Sequence, residues 1–450
     1  MSETSNTESK ETLKLTEWEL GNLHLPPVTT VTLYEGSASV GFLRGRIEKM
    51  LKKNPWLTSR IVKKSTKDGV VAMTYSKNFD ARSAVDQHLA FYRPGEVGFS
   101  LDMPYEKLVD CLKPLQCARS KPATDKNEVL FKVAVVPIEA ETGDTEQSMP
   151  PPQNIALPGF ALVVSMNHTL GDGHTYYSLY SMLGMDAETE ELDPVRLSDF
   201  ERAKTAIIGE SETAMFNSTS LALGIIGTYL GKKIGRRTPQ KISVNEVDST
   251  WLAKEKIRAG QEAQVPFVSS NDVLTSWFFR KMRADIHIML VNFRNRRPSI
   301  SNLSDKHVGN YEANLPYFPG DTESPMLIRQ SIRGGDGSFR AKRAGLPVTE
   351  MPSSFKRLRN SVSIITNWAT FYRDVELKGK DQDGIKSTLK PKVHYPIMEP
   401  DGIITSVWNN AIVFRPRAGQ LGMLLITRRS ESDILAQENE PDSPLGKRIM

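Results

Sequence analysis

The chain has 450 residues, about three times the size of a typical domain, so two large domains are the natural expectation. With 39% hydrophobic, 25% charged and 8% aromatic residues it has the composition of a soluble globular protein with ample core, which excludes global disorder. Its 58 basic and 53 acidic residues are interspersed and leave a net charge of +5, so no nucleic-acid partner is implied, although the balance suits a ligand carrying phosphates. The two cysteines, Cys111 and Cys117, form no Cys-x-x-Cys pair and the seven histidines no His-x-x-x-His pair, so no metal site is expected. The stretch from Met1 to Lys14 is polar and carries Glu3, Glu8 and Glu11. It has neither the apolar run of a secretory signal nor the acid-poor character of a transit helix, and a cytoplasmic setting is the expectation.

Residues 1–13 are expected as a disordered tail. Thr29 to Tyr34 reads as a β-strand, and Val40 to Leu51 places Phe42, Leu43, Ile47 and Leu51 at helical spacing before Asn54-Pro55 stops the helix. Phe131 to Ile138 and Phe160 to Met166 are dense apolar runs, expected as buried strands, with the Pro- and acid-rich stretch Glu139 to Pro152 between them as a surface loop. From His174 to Leu183, Tyr177, Tyr180 and Leu183 share one helical face, so a strand hands over to a helix near residue 170.

An N-terminal domain over 14–205, a crossover segment over 206–264, a C-terminal domain over 265–430 and a second disordered tail over 431–450 follow from this pattern. Within the crossover, Leu221 to Leu230 is apolar, is punctuated by Gly224, Gly227, Gly231 and Gly235, and is followed by Lys232-Lys233 and Arg236-Arg237. Ten apolar residues are too few to span a bilayer. Two readings stay open, a buried packing helix and a peripheral membrane contact over Leu221 to Gly235.

Ser270-Asn271-Asp272 is expected to start a helix over Val273 to Met282, with strands at Ile286 to Phe293 and Val362 to Thr366. Gly334-Gly335-Asp336-Gly337 and Lys378 to Lys392 read as loops. Ile403 to Trp408, Ala411 to Phe414 and Leu421 to Thr427 read as strands of an antiparallel meander, joined through Asn409-Asn410 and Ala418-Gly419. There is no internal repeat.

His168 stands in Asn167-His168-Thr169-Leu170-Gly171-Asp172-Gly173, where the apolar strand gives way to the helix. With seven histidines and Asp at roughly one residue in twenty, about one chain in three shows His-x-x-x-Asp by chance, and the following Gly makes the match about tenfold rarer. The residues alone leave two readings. In one, His168 is a general base, since a neutral imidazole with an ordinary pKa of about 6.5 suits proton abstraction near neutrality. In the other, Asp172-Gly173 turns the chain and caps the helix, and His168 is a satisfied, partly buried imidazole.

The segment resembles the His-x-x-x-Asp-Gly signature of the chloramphenicol-acetyltransferase-like superfamily, which includes plant BAHD acyltransferases, alcohol acyltransferases and peptide-synthetase condensation domains. Further matches follow in the same order along the chain. Asn54-Pro55-Trp56-Leu57-Thr58-Ser59-Arg60 is similar to the early Pro-x-x-x-x-Arg segment, and Ser270-Asn271-Asp272-Val273-Leu274 with Trp277 to the start of the second-domain helix. Val291-Asn292-Phe293-Arg294-Asn295-Arg296 resembles the Arg-x-Arg strand end, Gly309-Asn310-Tyr311 the Gly-Asn-aromatic turn, and Ile364-Ile365-Thr366-Asn367-Trp368 the Thr-Ser-Trp strand. The chain departs from two branches of the superfamily. The Asp-Phe-Gly-Trp-Gly motif of plant BAHD enzymes is absent, and Asn167 stands where condensation domains usually carry a second His.

The resemblance implies an α/β fold of two chloramphenicol-acetyltransferase-like domains, each a mixed β-sheet with flanking helices, with an active-site channel at their interface. It implies an acyltransferase that moves an acyl group from a coenzyme A thioester to a small-molecule alcohol or amine, with His168 as general base and no covalent acyl-enzyme. Coenzyme A is then a co-substrate and no cofactor is permanently bound. Thr366 hydroxyl or Trp368 indole would donate to the oxyanion, and Asp172 would pair with Arg294 as a structural residue holding the His168 loop. Gly173 would allow close approach of the pantetheine arm or hold a left-handed turn. Ser270 and Asn271 would touch the coenzyme, though helix capping explains them equally well. The protein is expected to act as a monomer. A carrier-dependent condensation-type enzyme and a non-catalytic binding member of the fold are the alternatives, and intact His168, Asp172 and Gly173 speak against the second.

Overall fold

Two alternating threonines, Thr30 and Thr32, share one side of the strand Val28–Glu35, with Val31 between them on the other, and this strand is second in the order of a five-stranded sheet. Its sheet runs Pro391–Ile397, Val28–Glu35, Gly159–Met166, Phe131–Pro137 and Leu89–Phe91, antiparallel except for the last pair. The computed structural model that shows this describes residues 10–63, 71–100, 103–138, 159–235, 240–261, 265–295, 303–332, 349–381, 383–399, 403–429, 434 and 443–449. The expected loops at 139–152 and 334–337, as well as Arg236, Arg237 and Arg296, lie outside those residues.

The chain forms two compact units, one of residues 1–196, 305–310 and 371–398, the other of 197–304, 311–370 and 399–450. In the first, the apolar runs at 131–137 and 159–166 are the buried strands their composition predicts, Gly159–Met166 being enclosed along nearly its whole length. Two small antiparallel sheets complete the unit. Lys10–Lys14, Val71–Ser76 and Arg60–Lys63 form one, and Lys386–Leu389, Leu377–Lys380 and Ser37–Ala38 the other.

The second unit is built on a seven-stranded mixed sheet, in the order Glu312–Tyr317, Ile286–Asn292, Val362–Asn367, Asn409–Arg417, Gln420–Thr427, Lys241–Val247 and Leu445–Arg448. Its two parallel pairings flank Val362–Asn367. The helix Ser270–Met282 buries ten of its 13 residues, Trp277, Phe278 and Phe279 among them, and so forms the centre of this core.

Several expectations are corrected. Residues 206–264 do not cross between domains but supply helices and the sheet strand Lys241–Val247 of the second unit. The first unit is not a continuous 14–205, and 265–430 is not a continuous second domain, because residues 305–310 and 371–398 return to the first sheet's unit. Of the tails expected as disordered, 1–9, 431–433, 435–442 and 450 lie outside the described residues, and the described parts carry strands. Lys10–Lys14 pairs with Val71–Ser76, and Leu445–Arg448 pairs with Lys241–Val247, with Ile434 fully buried in the core. Backbone pairing on a sheet edge needs little side-chain hydrophobicity, so these polar strands have no signature in composition.

Lys378 to Lys392 is not a loop. It holds the hairpin Leu377–Lys380/Lys386–Leu389 and the start of Pro391–Ile397, with Leu377 opposite Leu389 and the lysines facing water. A Cβ at Gly379 would lie 2.3 Å from the carbonyl of Ser37, so glycine is required for this sheet to close. Ile403 to Trp408 is not a strand but the helix Ile403–Val407, since so short a segment carries no decisive period. Gln240 Nε2 satisfies the carbonyls of Thr405 and Trp408 where that helix ends, and Asn409-Asn410 begins the next strand instead of linking two.

Candidate functional site

The strand Gly159–Met166 delivers His168 two residues beyond its end, and the helix Gly173–Ser181 begins five residues later. Between them the chain is held by side chains. Asn167 is buried, its Nδ2 donating to Ala118 O at 2.6 Å while its Oδ1 accepts from Thr169 N at 2.8 Å and Ser120 Oγ at 2.7 Å. The residue occupying the place of a second His is therefore the brace of this turn. At Gly171 a Cβ would fall 2.5 Å from Thr175 Oγ1, so the loop closes onto the helix only with glycine.

Asp172 caps the helix. Its Oδ1 accepts from Thr175 N at 3.0 Å and lies 3.2 Å from the Thr175 hydroxyl, an arrangement that satisfies two donors of the first turn. Gly173 is the first helical residue, so the expected left-handed turn does not form there. Beside the loop, Gly309 does have a positive φ, 134°, and faces the guanidinium of Arg196.

The helix is positioned by its tyrosines. Tyr176 and Tyr180, one turn apart, place their hydroxyls 2.6 Å from Thr30 Oγ1 and 2.7 Å from Thr32 Oγ1, threonines that share one face of the strand Val28–Glu35. His394 completes the cluster, its Nδ1 2.8 Å from Thr32 Oγ1 and its Nε2 3.0 Å from Tyr177 OH. At the other end of the helix, Arg46 Nε donates to Met182 O at 2.7 Å, and the cation meets the carbonyl end of the dipole.

The His168 imidazole is fixed by Asn310. Asn310 Nδ2 donates to His168 O at 3.0 Å and to Glu19 Oε1 at 3.2 Å. Both partners only accept, so the amide oxygen must face the ring, and His168 Nδ1 lies 3.0 Å from Asn310 Oδ1. Nδ1 therefore carries the hydrogen, and in the neutral ring Nε2 carries the lone pair. Desolvation pulls the pKa of His168 below its ordinary 6.5, opposed by its own backbone, Asp172, Asn310 and Glu19, so the ring is neutral at pH 7.

A buried ion pair supports Asn310. Arg196 Nε meets Glu19 Oε1 at 2.8 Å, and its two Nη groups donate to the carbonyls of Thr169, Leu170, Pro194 and Val308 at 2.9 to 3.2 Å. Glu19 Oε2 meanwhile accepts from Thr16 N at 3.0 Å as part of a capping box. One guanidinium thus ties Thr169 and Leu170 of the His168 loop to Pro194 and Val308, with its charge compensated by Glu19.

Of the expected site residues, His168, Asp172 and Gly173 belong to the first unit and Thr366, Trp368, Arg294, Ser270 and Asn271 to the second. Thr366 is half-buried near the end of Val362–Asn367, and Trp368, just past it, is buried, its backbone N donating to Val413 O at 2.8 Å. Arg294 is buried, with Nη1 3.0 Å from Asn292 Oδ1 and its guanidinium 5.0 Å above the Tyr311 ring. The helix begins at Ser270, three residues before the expected Val273. Ser269 is the cap, in a capping box with Asp272, because its hydroxyl reaches Asp272 N while the Asp272 carboxylate returns to Ser269 N at 2.7 Å. Ser270 lies in the first turn, and Asn271 Oδ1 accepts from Asn367 Nδ2 at 2.9 Å.

Sequence reasoning gave Asn310 only a place in a turn and gave Glu19 and Arg196 no role. In sequence, Thr16-Glu17-Trp18-Glu19 signals a helix start and nothing more. Nothing local in Arg196 marks it as a loop clamp.

No protein-family model and no curated protein sequence matches the chain. Solved structures do. TRI101 of F. graminearum, complexed with coenzyme A and T-2 mycotoxin, is similar over 96% of this chain and 98% of that chain, at 13% identity and a TM-score of 0.56. F. sporotrichioides TRI101, complexed with coenzyme A and T-2, is similar over 98% of this chain and 100% of that chain, at 11% identity and a TM-score of 0.53. The TRI3 trichothecene 15-O-acetyltransferase of Fusarium sporotrichioides is similar over 95% and 92%, at 8% identity and a TM-score of 0.53. The likeness is one of fold, and this chain has the α/β chloramphenicol-acetyltransferase-like fold that its motif order implies.

Proposed function

We propose that the chain transfers an acyl group from a coenzyme A thioester to a hydroxyl or amine of a small molecule, with His168 as the general base. The observation that carries this reading is the Asn310 amide, which assigns the hydrogen to Nδ1 and the basic lone pair to Nε2. The fold supports the donor: TRI101 of F. graminearum is crystallised with coenzyme A and with T-2 mycotoxin or deoxynivalenol. TRI3, named a 15-O-acetyltransferase, favours a hydroxyl over an amine as acceptor.

Nε2 takes the acceptor proton as the oxygen or nitrogen attacks the thioester carbonyl. The resulting imidazolium is held through Nδ1–H to the Asn310 oxygen. Collapse of the tetrahedral intermediate breaks the C–S bond, and the proton on Nε2 passes to the departing thiolate, so free coenzyme A and the acylated acceptor are the products. Thr366 hydroxyl or Trp368 indole keeps the proposed role of oxyanion donor, Arg294 that of partner to Asp172, and Ser270 and Asn271 that of coenzyme contacts, all on the resemblance.

Direct transfer requires both substrates together. Acyl-CoAs of increasing chain length are incubated with alcohols and amines, thiol release is followed, and quenched protein is weighed by mass spectrometry. Acceptor-dependent thiol release with an unmodified protein mass is the expected result. Accumulation of acylated protein, or no transfer from any acyl-CoA, would overturn the reading.

A further inference from the structure

The helix Thr219–Lys233 is apolar on two sides. One side buries Leu221, Gly224 and Thr228, and Gly224 lies so close to the helix Ser354–Arg359 that a Cβ would meet the carbonyls of Arg357 and Leu358 at 2.7 and 2.8 Å. The opposite side presents Leu223, Ile226 and Leu230, continued just past the helix by Ile234, each between 53% and 63% exposed. Their spacing of three or four residues sets them in a single ridge. On the helix Ser354–Arg359, which packs against this one, Phe355 is 72% exposed and Leu358 45% exposed. Six of the 11 large apolar side chains exposed among the described residues therefore sit on two touching helices. Scattered exposed apolar residues need no explanation, but a contiguous ridge marks an interaction surface. A helix apolar on both sides is ordinarily covered on both.

The charges around the ridge select what covers it. Neither helix contains an acidic residue, whereas Lys232 and Lys233 end the first, and Lys356 and Arg359 lie on the second. Lys233 Nζ stands 5.0 Å above the Tyr229 ring, so its stem follows the apolar surface while its charge stays at the rim. An apolar ridge on helices whose own charged residues are all positive fits an anionic lipid surface, where acyl chains take the ridge and headgroup phosphates meet the cations. No helix among the described residues is long and apolar enough to cross a membrane, so such a contact is peripheral. We propose that the ridge of Leu223, Ile226, Leu230 and Ile234, together with Phe355 and Leu358 of the adjoining helix, docks the protein on an anionic bilayer surface. It stands independently of the reaction assigned to His168.

The full chain is floated with vesicles of phosphatidylcholine containing about 30% phosphatidylserine, and with phosphatidylcholine alone. The protein is expected to float with the anionic vesicles and to bind the neutral ones several-fold more weakly. The Leu230→Ser/Phe355→Ser double variant is expected to lose roughly tenfold or more in binding with its melting temperature unchanged, because both side chains are exposed. The Lys232→Gln/Lys233→Gln/Lys356→Gln variant is expected to lose the preference for anionic vesicles. Absence of flotation, or flotation indifferent to both variants, overturns the proposal. So does a dimer that the apolar variant dissociates in a protein that does not float, since the ridge then belongs to a second copy.

Discussion

Which nitrogen of His168 can act as a base depends on one amide two strands of sequence away. Asn310 faces two acceptors with its NH₂ group, so its oxygen is left for the ring. The pKa of His168 is depressed below 6.5 because desolvation outweighs the groups that favour its charged form. The acid limb of kcat/KM is therefore expected to have its midpoint below pH 6.5, activity rising with pH as the ring loses its proton. Removing Asn310 removes one of the stabilising groups. Asn310→Ala is expected to move that midpoint further down and to lower kcat about tenfold or more, while Asn310→Asp moves it upward. A pH–rate profile checks both, and an unmoved limb in both variants would show that Asn310 does not act on the ring. In the sequence, His168 is singled out as a candidate by the ordered matches to the superfamily along the chain, since His-x-x-x-Asp-Gly alone left two readings open. Glu19 was not, since its partner Arg196 is 177 residues away and each looks like an ordinary surface charge until the chain is folded.

At the scale of the element, Asp172 links sequence to geometry through the first turn of the helix Gly173–Ser181. The cap and the ion pair proposed with Arg294 make different demands on it, because Asn accepts a cap hydrogen bond as well as Asp does but carries no charge. Asp172→Ala is expected to cost about 0.5–2 kcal/mol through the cap alone, read as a lowered melting temperature. If capping is the whole of its role, Asp172→Asn restores the wild-type value. If the charge matters, Asn remains as damaging as Ala, toward the several kcal/mol that an uncompensated buried partner costs. Elements with strong periodicity were legible in this way, as at Val40–Lys53 and Ser270–Met282, whose apolar residues recur at helical spacing. The hairpin near Lys378 and the short helix Ile403–Val407 were not. In the first the apolar positions are two leucines and a glycine among lysines, and in the second the run is too short for period 2 and period 3.6 to differ.

For the whole molecule, the sequence order predicts two mixed α/β bodies, and two mixed-sheet units form, but not their membership. Residues 305–310 carry Asn310 and residues 371–398 carry His394 into the first unit, and neither segment advertises which sheet it joins, because that depends on long-range pairing. Three buried histidines distribute a common acid sensitivity over both units. Burial pushes His88 down to about 4, and His287 and His394 down to about 3, from an unfolded value of 6.5. Each folded pKa is depressed, so the unfolded chain binds more protons between pH 6.5 and 3, and stability falls as pH falls through that window. Each group contributes a slope of up to about 1.4 kcal/mol per pH unit. Melting temperature is expected to be level above pH 7 and to drop steadily from about pH 6.5 toward pH 4. The replacement His394→Gln is expected to flatten part of that drop, and an unchanged profile would contradict the assignment.

The central claim, that Nε2 of His168 takes the acceptor proton, is tested most directly by acceptor-dependent thiol release from acyl-CoA in the wild type and in His168→Ala, with melting temperature measured on both. A variant that stays folded and loses about 10²–10⁴-fold in rate is the result expected of a missing general base. Equal rates in the two proteins would contradict it.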